Sequence, residues 1–146
     1  MKFKLLNESG EKTFALIFEK GDEVIGALKQ FAIEQRLLAS HFTAIGALSD
    51  VVVGFFDPVT KDYKRIAMRE QMEVLSLAGD VTIEGDVPKI HAHVVVGKSD
   101  GTAHGGHLME GHVFPTLELI LVELPKFLNR KFDKDTGFAL INLDAA

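Results

Sequence analysis

The stretch Lys89–His112, KIHAHVVVGKSDGTAHGGHLMEGH, holds five of the chain's six histidines, and its reading organises the rest of the sequence. Its first half is a β-branched apolar run with His91 and His93 two apart, and on a strand residues two apart project from one face. The run ends at K-S-D-G-T (Lys98–Thr102). That pattern suits a three-residue hairpin loop, with Ser99 and Asp100 in a type I turn and Gly101 in the left-handed position. Such a loop pairs Lys98 with Thr102. Counting outward sets His93 opposite His107 and His91 opposite Met109, and directly opposed residues share a face with Cβ atoms about 5 Å apart. His91, His93 and His107 are therefore expected together on one face of a hairpin. His104 and His112 fall outside that geometry. Gly105 and Gly106 leave bare backbone beside the cluster, room for a ligand or another chain.

Three neutral imidazoles are a recurring zinc donor set, and a fourth position left to water or substrate distinguishes catalytic from closed structural sites. Nickel, copper and iron also accept imidazole, so the donors imply a divalent metal, with zinc foremost, rather than one element. A metal-bound water with its pKa lowered to about 7 would serve hydrolysis or hydration. The nearest carboxylate in sequence, Glu110, is the candidate acid or base. The competing reading is a histidine cluster packed at a subunit interface and responsive to pH. The metal reading depends on register, because a one-residue slip would turn His107 to the opposite face.

Outward from this hairpin, FALIF (residues 14–18) is a short strand ending at an EKGD turn. DEVIGALKQFAIEQRLL (residues 22–38) places Val24, Ile25, Leu28, Phe31 and Ala32 at helical spacing. Asp22 is the expected N-cap, with Glu23 and Arg36 suiting the two ends of the helix dipole. The period then changes. HFTAIGALSDVVVGFFD (41–57) is rich in β-branched and aromatic residues, with Gly46 and Gly54 as bulges or close-packing points. DYKRIAM, QMEVLSLAGDV and KIHAHVVVG are further strands; TLELILVEL alternates leucines 117, 119 and 121, and FALINL (138–143) closes the chain. One helix against about seven sequential strands predicts an α+β fold with a mostly antiparallel sheet. At 146 residues the chain fits one domain, 1–146.

Composition limits the partners. A formal net charge of −5 and scattered basic residues disfavour direct nucleic-acid binding. The densest basic group, KRIAMR (64–69), is interleaved with apolar residues and suits an edge strand kept soluble by charge. No apolar run approaches the roughly 18 residues of a membrane span, and the start turns polar too soon for a secretory segment. Cysteine is absent, which excludes thiolate sites and suits a cytoplasmic location. Glu73 is expected at a solvated strand position and His41 as a cap or core residue. Ser49 lacks the strand–turn–helix setting of a nucleophile elbow, and GKSDGTAHGG lacks the spacing of a phosphate loop.

Three segments resemble the plants-and-prokaryotes conserved (PPC) domain family: EVLSLAGDV, then HAHVVVGKSDGTAHGGHLMEG, then KFDKDTGFALINL. Nearly the whole chain is covered, and the central segment is the most specific. The resemblance implies a mixed α/β fold on a mostly antiparallel sheet, a homotrimer, and a metal site on His91, His93 and His107. It also implies association with DNA. The plant proteins, however, carry AT-hook segments of RGRP type that do not occur here, and their GRFEIL partner segment appears only as EQMEVL (70–75). Three functions follow as expectations: a cytoplasmic metal-binding homotrimer, a zinc-dependent hydrolase or lyase, and a DNA-associated or regulatory protein acting through partners.

Overall fold

Alternating apolar residues in most of this sequence can bury one side only by lying in a sheet, and the chain does so. The computed structural model describes residues 1–7 and 10–143. Among them the elements are β1 (Lys2–Asn7), β2 (Thr13–Glu19), α1 (Val24–Gln35), β3 (Ser40–Asp57), β4 (Asp62–Met68), β5 (Met72–Glu84), β6 (Val87–Gly97), β7 (Ala103–Glu123), β8 (Asn129–Asp133) and β9 (Phe138–Asn142). Nine strands form where about seven were expected. The two additions, β1 and β8, are short and carry charged residues; β1 alternates Phe3 and Leu5 with lysines over too few residues to stand out, and each pairs with a neighbour, β1 with β2 and β8 with β9. Among the described residues no helix is long and apolar enough to cross a membrane.

Every pairing is antiparallel except a single parallel contact, Ile83 with Asn129. β3 pairs with both β5 and β7, and β6 pairs with the same two strands, so four long strands close a ring. Phe14, Phe18, Phe42, Leu117, Leu119 and Leu121 are buried in the core. The alternation of the leucines therefore places them as expected. β4 pairs only with β3, in keeping with its charged edge.

A 12-residue helix is marginal in isolation, so α1 depends on the side chains it buries. Val24, Leu28, Phe31 and Ala32 pack into the core. Phe31 meets Phe14 edge-on at 5.2 Å. The cap differs from expectation by one residue. Glu23, not Asp22, is the N-cap, accepting from the Ile25 and Gly26 N–H groups at 3.1 and 2.6 Å. The longer side chain can loop back because Gly26 is bare: a Cβ there would lie 2.9 Å from Glu23 Oε2. Asp22 accepts instead from the Glu19 N–H, closing the preceding turn. Arg36 ends the helix through its left-handed backbone, φ 55°, rather than by charge.

Gly46 is a bulge, with register shifts toward both neighbouring strands, a φ of 149° and Thr116 O only 2.4 Å from where a Cβ would sit. Backbone cannot yield as a flexible side chain can. Gly46→Ala is expected to destabilise the protein by at least about 2 kcal/mol, the sum of a strained φ and a packing clash. Denaturant unfolding of the variant beside the parent measures it, and a loss under half that value would show that the bulge relaxes.

Candidate metal centre

The hairpin turn forms as its chemistry requires. Gly101 adopts φ 82°, the Lys98 N–H donates to Thr102 O at 2.9 Å, and Asp100 Oδ1 accepts from both the N–H and hydroxyl of Thr102. The ladder then runs from Gly97–Ala103 to His93–His107, the register expected from the turn. It ends there. β7 leaves β6 for β3, pairing His107 with Gly54, and a bulge between Val53–Leu108 and Val52–Glu110 sets Met109 out of register. His91 accordingly pairs with Asp80 on β5 and not with Met109.

The three imidazoles nevertheless converge. Ring centroids lie 5.2 Å apart for His91–His93, 5.2 Å for His91–His107 and 5.5 Å for His93–His107. One ring nitrogen of each lies within 4.8 Å of the others. The glycines beside them do not make room for a guest: a Cβ at Gly105 would meet Val94 O at 2.6 Å and one at Gly106 would meet Gly54 O at 2.8 Å. Their role is close approach of β7 to its neighbours. Gly54 has the same role, since a Cβ there would lie 2.7 Å from Tyr63 Cδ1. Across that bare backbone the Tyr63 ring reaches His107 and stacks on it at 4.7 Å and 25°.

A second layer holds the cluster. Asp80 faces His91 across the β5–β6 ladder, with Oδ2 3.5 Å from Nδ1. Arg130 of β8, its side chain only 8% exposed, donates to Asp80 Oδ1 at 2.8 Å, to Thr82 Oγ1 at 2.6 Å and to the Ala139 carbonyl at 3.1 Å. Burial alone would raise the Asp80 pKa, but the bonds from His91 and Arg130 outweigh it and hold the carboxyl below its usual value. His93 is shifted down by burial and by its neighbour His91. His107 is pushed down to about 4, by burial first and then by the charges of His91, His93, Lys89 and Arg130. Its Nδ1 is buried without a hydrogen-bond partner, an orphan of the kind a metal or a bound polar group satisfies. Three imidazoles, one with an unsatisfied nitrogen, are a donor set that fits a divalent cation.

A cavity of about 400 Å³ opens over His91 and His107. Its walls are Tyr63, Ile90 and the β8–β9 hairpin, which supplies Phe132, Phe138 and Leu140; its charged lining residues are Glu84, Lys89 and Arg130. Glu110 is not among the lining residues, and its carboxylate lies 3.8 Å from Arg65. His104 is exposed, 3.3 Å from the Thr102 hydroxyl. His112 pairs with Asp50 at 2.8 Å. Glu73 is solvent-exposed as expected; His41 is exposed too, rather than a core residue. Ser49 donates to Asp50 and to the His112 carbonyl. Sequence reasoning missed Asp80, Arg130 and Tyr63. Asp80 had a signal, being the lone acid in the apolar run LSLAGDV, while nothing in NRKFD or DYKRIAM singles out Arg130 or Tyr63.

With this geometry established, comparison with known proteins is direct. The model of the Plants and Prokaryotes Conserved (PCC) domain matches residues 6–125. The chain belongs to this family. Among solved structures, a metal-containing protein from Archaeoglobus fulgidus is 32% identical, with 97% of this chain and 96% of that one covered and a TM-score of 0.84. A proposed DNA-binding protein from Bacteroides thetaiotaomicron is 25% identical over 97% and 98% of the two chains, with a TM-score of 0.88. The bifunctional protein GlmU of Synechococcus sp. (strain JA-3-3Ab) is 28% identical over 136 residues, 91% of this chain. The chain spans only 21% of that curated relative's length.

The histidines differ in their response to pH. His112 is raised by its hydrogen bond to Asp50, with burial opposing and the charges of Asp50, Glu110 and Glu23 adding to the rise. Its stabilisation is full below the ordinary imidazole pKa and is lost as pH rises through the raised value. His107 acts in reverse. The unfolded chain takes up its proton near the ordinary 6.5 and the folded chain only near 4, so stability falls on acidification across that window. Proton NMR titration of chelator-treated protein should show His107 neutral down to a pH of about 4 and His112 titrating above 6.5. Asp50→Asn should return His112 toward its ordinary value. A His107 midpoint near 6.5 would show that its ring is solvated.

Proposed function

We propose that the protein binds one divalent metal ion per chain, zinc foremost, through His91, His93 and His107, and that it acts as a cytoplasmic homotrimer. The observation that carries this reading is the convergence of three imidazole nitrogens, two of them on rings that line a cavity. The relative from Archaeoglobus fulgidus, described as metal-containing and 32% identical over nearly the full chain, supports it. The absence of cysteine suits the location.

When bound, zinc would supply Lewis acidity and a water ionising at about pH 7. The chain's own residues do the positioning. Asp80 takes the Nδ1 side of His91, which fixes that ring and leaves Nε2 for the ion; Arg130 in turn fixes Asp80. Tyr63, flat against His107, restricts its rotation and excludes water from one side. The trimer reading is supported by an apolar depression on the outer face of β2, β3, β5 and β7, where Ile17, Ile45, Leu75 and Ile120 are exposed.

A hydrolase or lyase is the second reading, favoured by the cavity's opening onto His91 and His107. In this arrangement the lining carboxylate is Glu84, while Glu110 faces Arg65. A DNA-associated role has support in the naming of the Bacteroides relative, but the chain's −5 charge weighs against direct contact. Such binding would weaken steeply with salt.

Elemental analysis of tag-free protein never exposed to chelator is the decisive measurement. About one zinc per chain is expected from three converging donors, lost in His93→Ala, His107→Ala with the circular dichroism unchanged. Asp80→Asn should keep the site but weaken zinc by about 10- to 100-fold. Protein that holds no metal even after zinc is added overturns the reading. The assembly is checked separately by light scattering: a trimeric mass is expected, and Ile45→Asp should reduce it to the monomer.

A further inference from the structure

Metal binding leaves the cavity above the histidines unexplained. Its volume of about 400 Å³ falls within the roughly 300–1,000 Å³ of small-molecule sites. Its composition is divided. Tyr63, Phe132, Phe138 and Leu140 form an apolar wall, and Phe132 and Leu140 remain 63% and 45% exposed, surface that a guest could cover. Phe138 packs at 5.3 Å from Tyr63 and 5.1 Å from Phe56, so this wall is braced rather than loose.

The polar side of the cavity is electrostatically specific. Lys89 pairs with Glu84 at 3.4 Å and Arg130 with Asp80 at 2.8 Å. The two cations are thus balanced by two carboxylates, and the imidazoles that hold an ion are neutral. A divalent ion at the histidines would leave two positive charges without a partner beside this apolar wall, and an anion seated there would neutralise them. Arg130 also has capacity to spare. Its bonds to Thr82, Ala139 and Asp80 use three of the five guanidinium N–H groups.

We infer that this cavity binds a small organic anion with a compact apolar or aromatic body. The anionic end lies on the side of Lys89, Arg130 and the histidine site, and the body lies against Tyr63, Phe132, Phe138 and Leu140. The inference rests on the metal-binding reading, since the ion supplies the charge that the anion neutralises. The β8–β9 hairpin provides much of the wall and lies beyond residues 6–125, the part of the chain matched by the family model. Selectivity for the body of the guest is thus written in a segment separate from the metal ligands.

Benzoate and its uncharged counterpart benzyl alcohol are the probes, titrated calorimetrically into zinc-loaded protein whose metal content is measured on the same sample. Benzoate should bind at least about tenfold more tightly than benzyl alcohol, because a charge-assisted contact is roughly twice as strong as a neutral one. Lys89→Gln, at an exposed position, should weaken benzoate by about twofold to fivefold with the zinc content unchanged. Leu140→Ala should weaken both probes alike. Zinc-loaded protein that binds benzoate no better than benzyl alcohol, or a Lys89→Gln variant that binds it as tightly as the parent, overturns the inference and leaves the metal reading intact. Protein that takes up no zinc overturns both, and the metal analysis tells the two failures apart.

Discussion

The register of the β6–β7 hairpin is the constraint on which the rest of this structure depends. Side chains alternate with period two, so a slip of one residue would move His107 to the opposite face and dissolve the cluster. Local chemistry holds it in place. Gly101 supplies the left-handed turn residue at no steric cost, and Asp100 accepts two hydrogen bonds from Thr102, which leaves His93 opposite His107. The glycines on β7 then allow close approach. Any side chain at Gly105 or Gly106 would strike neighbouring backbone, so the strand that carries His107 lies tight between β6 and β3.

Around the cluster, long-range pairing converts three weak metal ligands into a shaped site. A histidine on a strand has rotational freedom; His91 loses it to Asp80, and Asp80 loses its own to Arg130. Arg130 comes from β8, which lies beside β5 through one parallel contact, the Ile83 N–H bond to the Leu128 carbonyl and these same side-chain hydrogen bonds. The C-terminal hairpin is thus tied to the body of the fold in part through the residue that braces the site, beside the Phe138 contacts to Phe56 and Tyr63 and the bond from Lys61 to the Lys134 carbonyl. The low pKa of His107 has the same origin, for the packing that stacks Tyr63 on its ring also removes the water that would stabilise its charged form.

The legible and illegible parts of the sequence divide on physical grounds. The hairpin was legible because a turn and the alternation beside it are short-range, and α1 was legible because five apolar residues recur at helical spacing. The N-cap was misplaced by one residue. Asp22 and Glu23 are both competent acceptors, and the choice depends on Gly26 leaving space and on Glu19 drawing Asp22 into the preceding turn. β1 and β8 went unseen because a strand of five or six residues with charges among them gives too short a pattern, and it is the pairing partner that decides the strand. The pairing of His91 with Met109 failed where β7 departs toward β3, since β7 bulges at Met109 against a strand from elsewhere in the chain and nothing local to the hairpin announces that partner.

From the sequence alone came the family resemblance, carried by three matching segments, and also a mostly antiparallel α+β fold and the three histidines on one face, which follow from periodicities and turn chemistry spanning a few residues. Only the tertiary structure decided what surrounds them. Asp80 meets His91 across the β5–β6 ladder, Tyr63 reaches His107 because Gly54 is bare, and Arg130 arrives from 50 residues beyond Asp80 to close the network. Those contacts depend on how the strands close into a ring, and ring closure is a property of the whole chain that no local segment encodes.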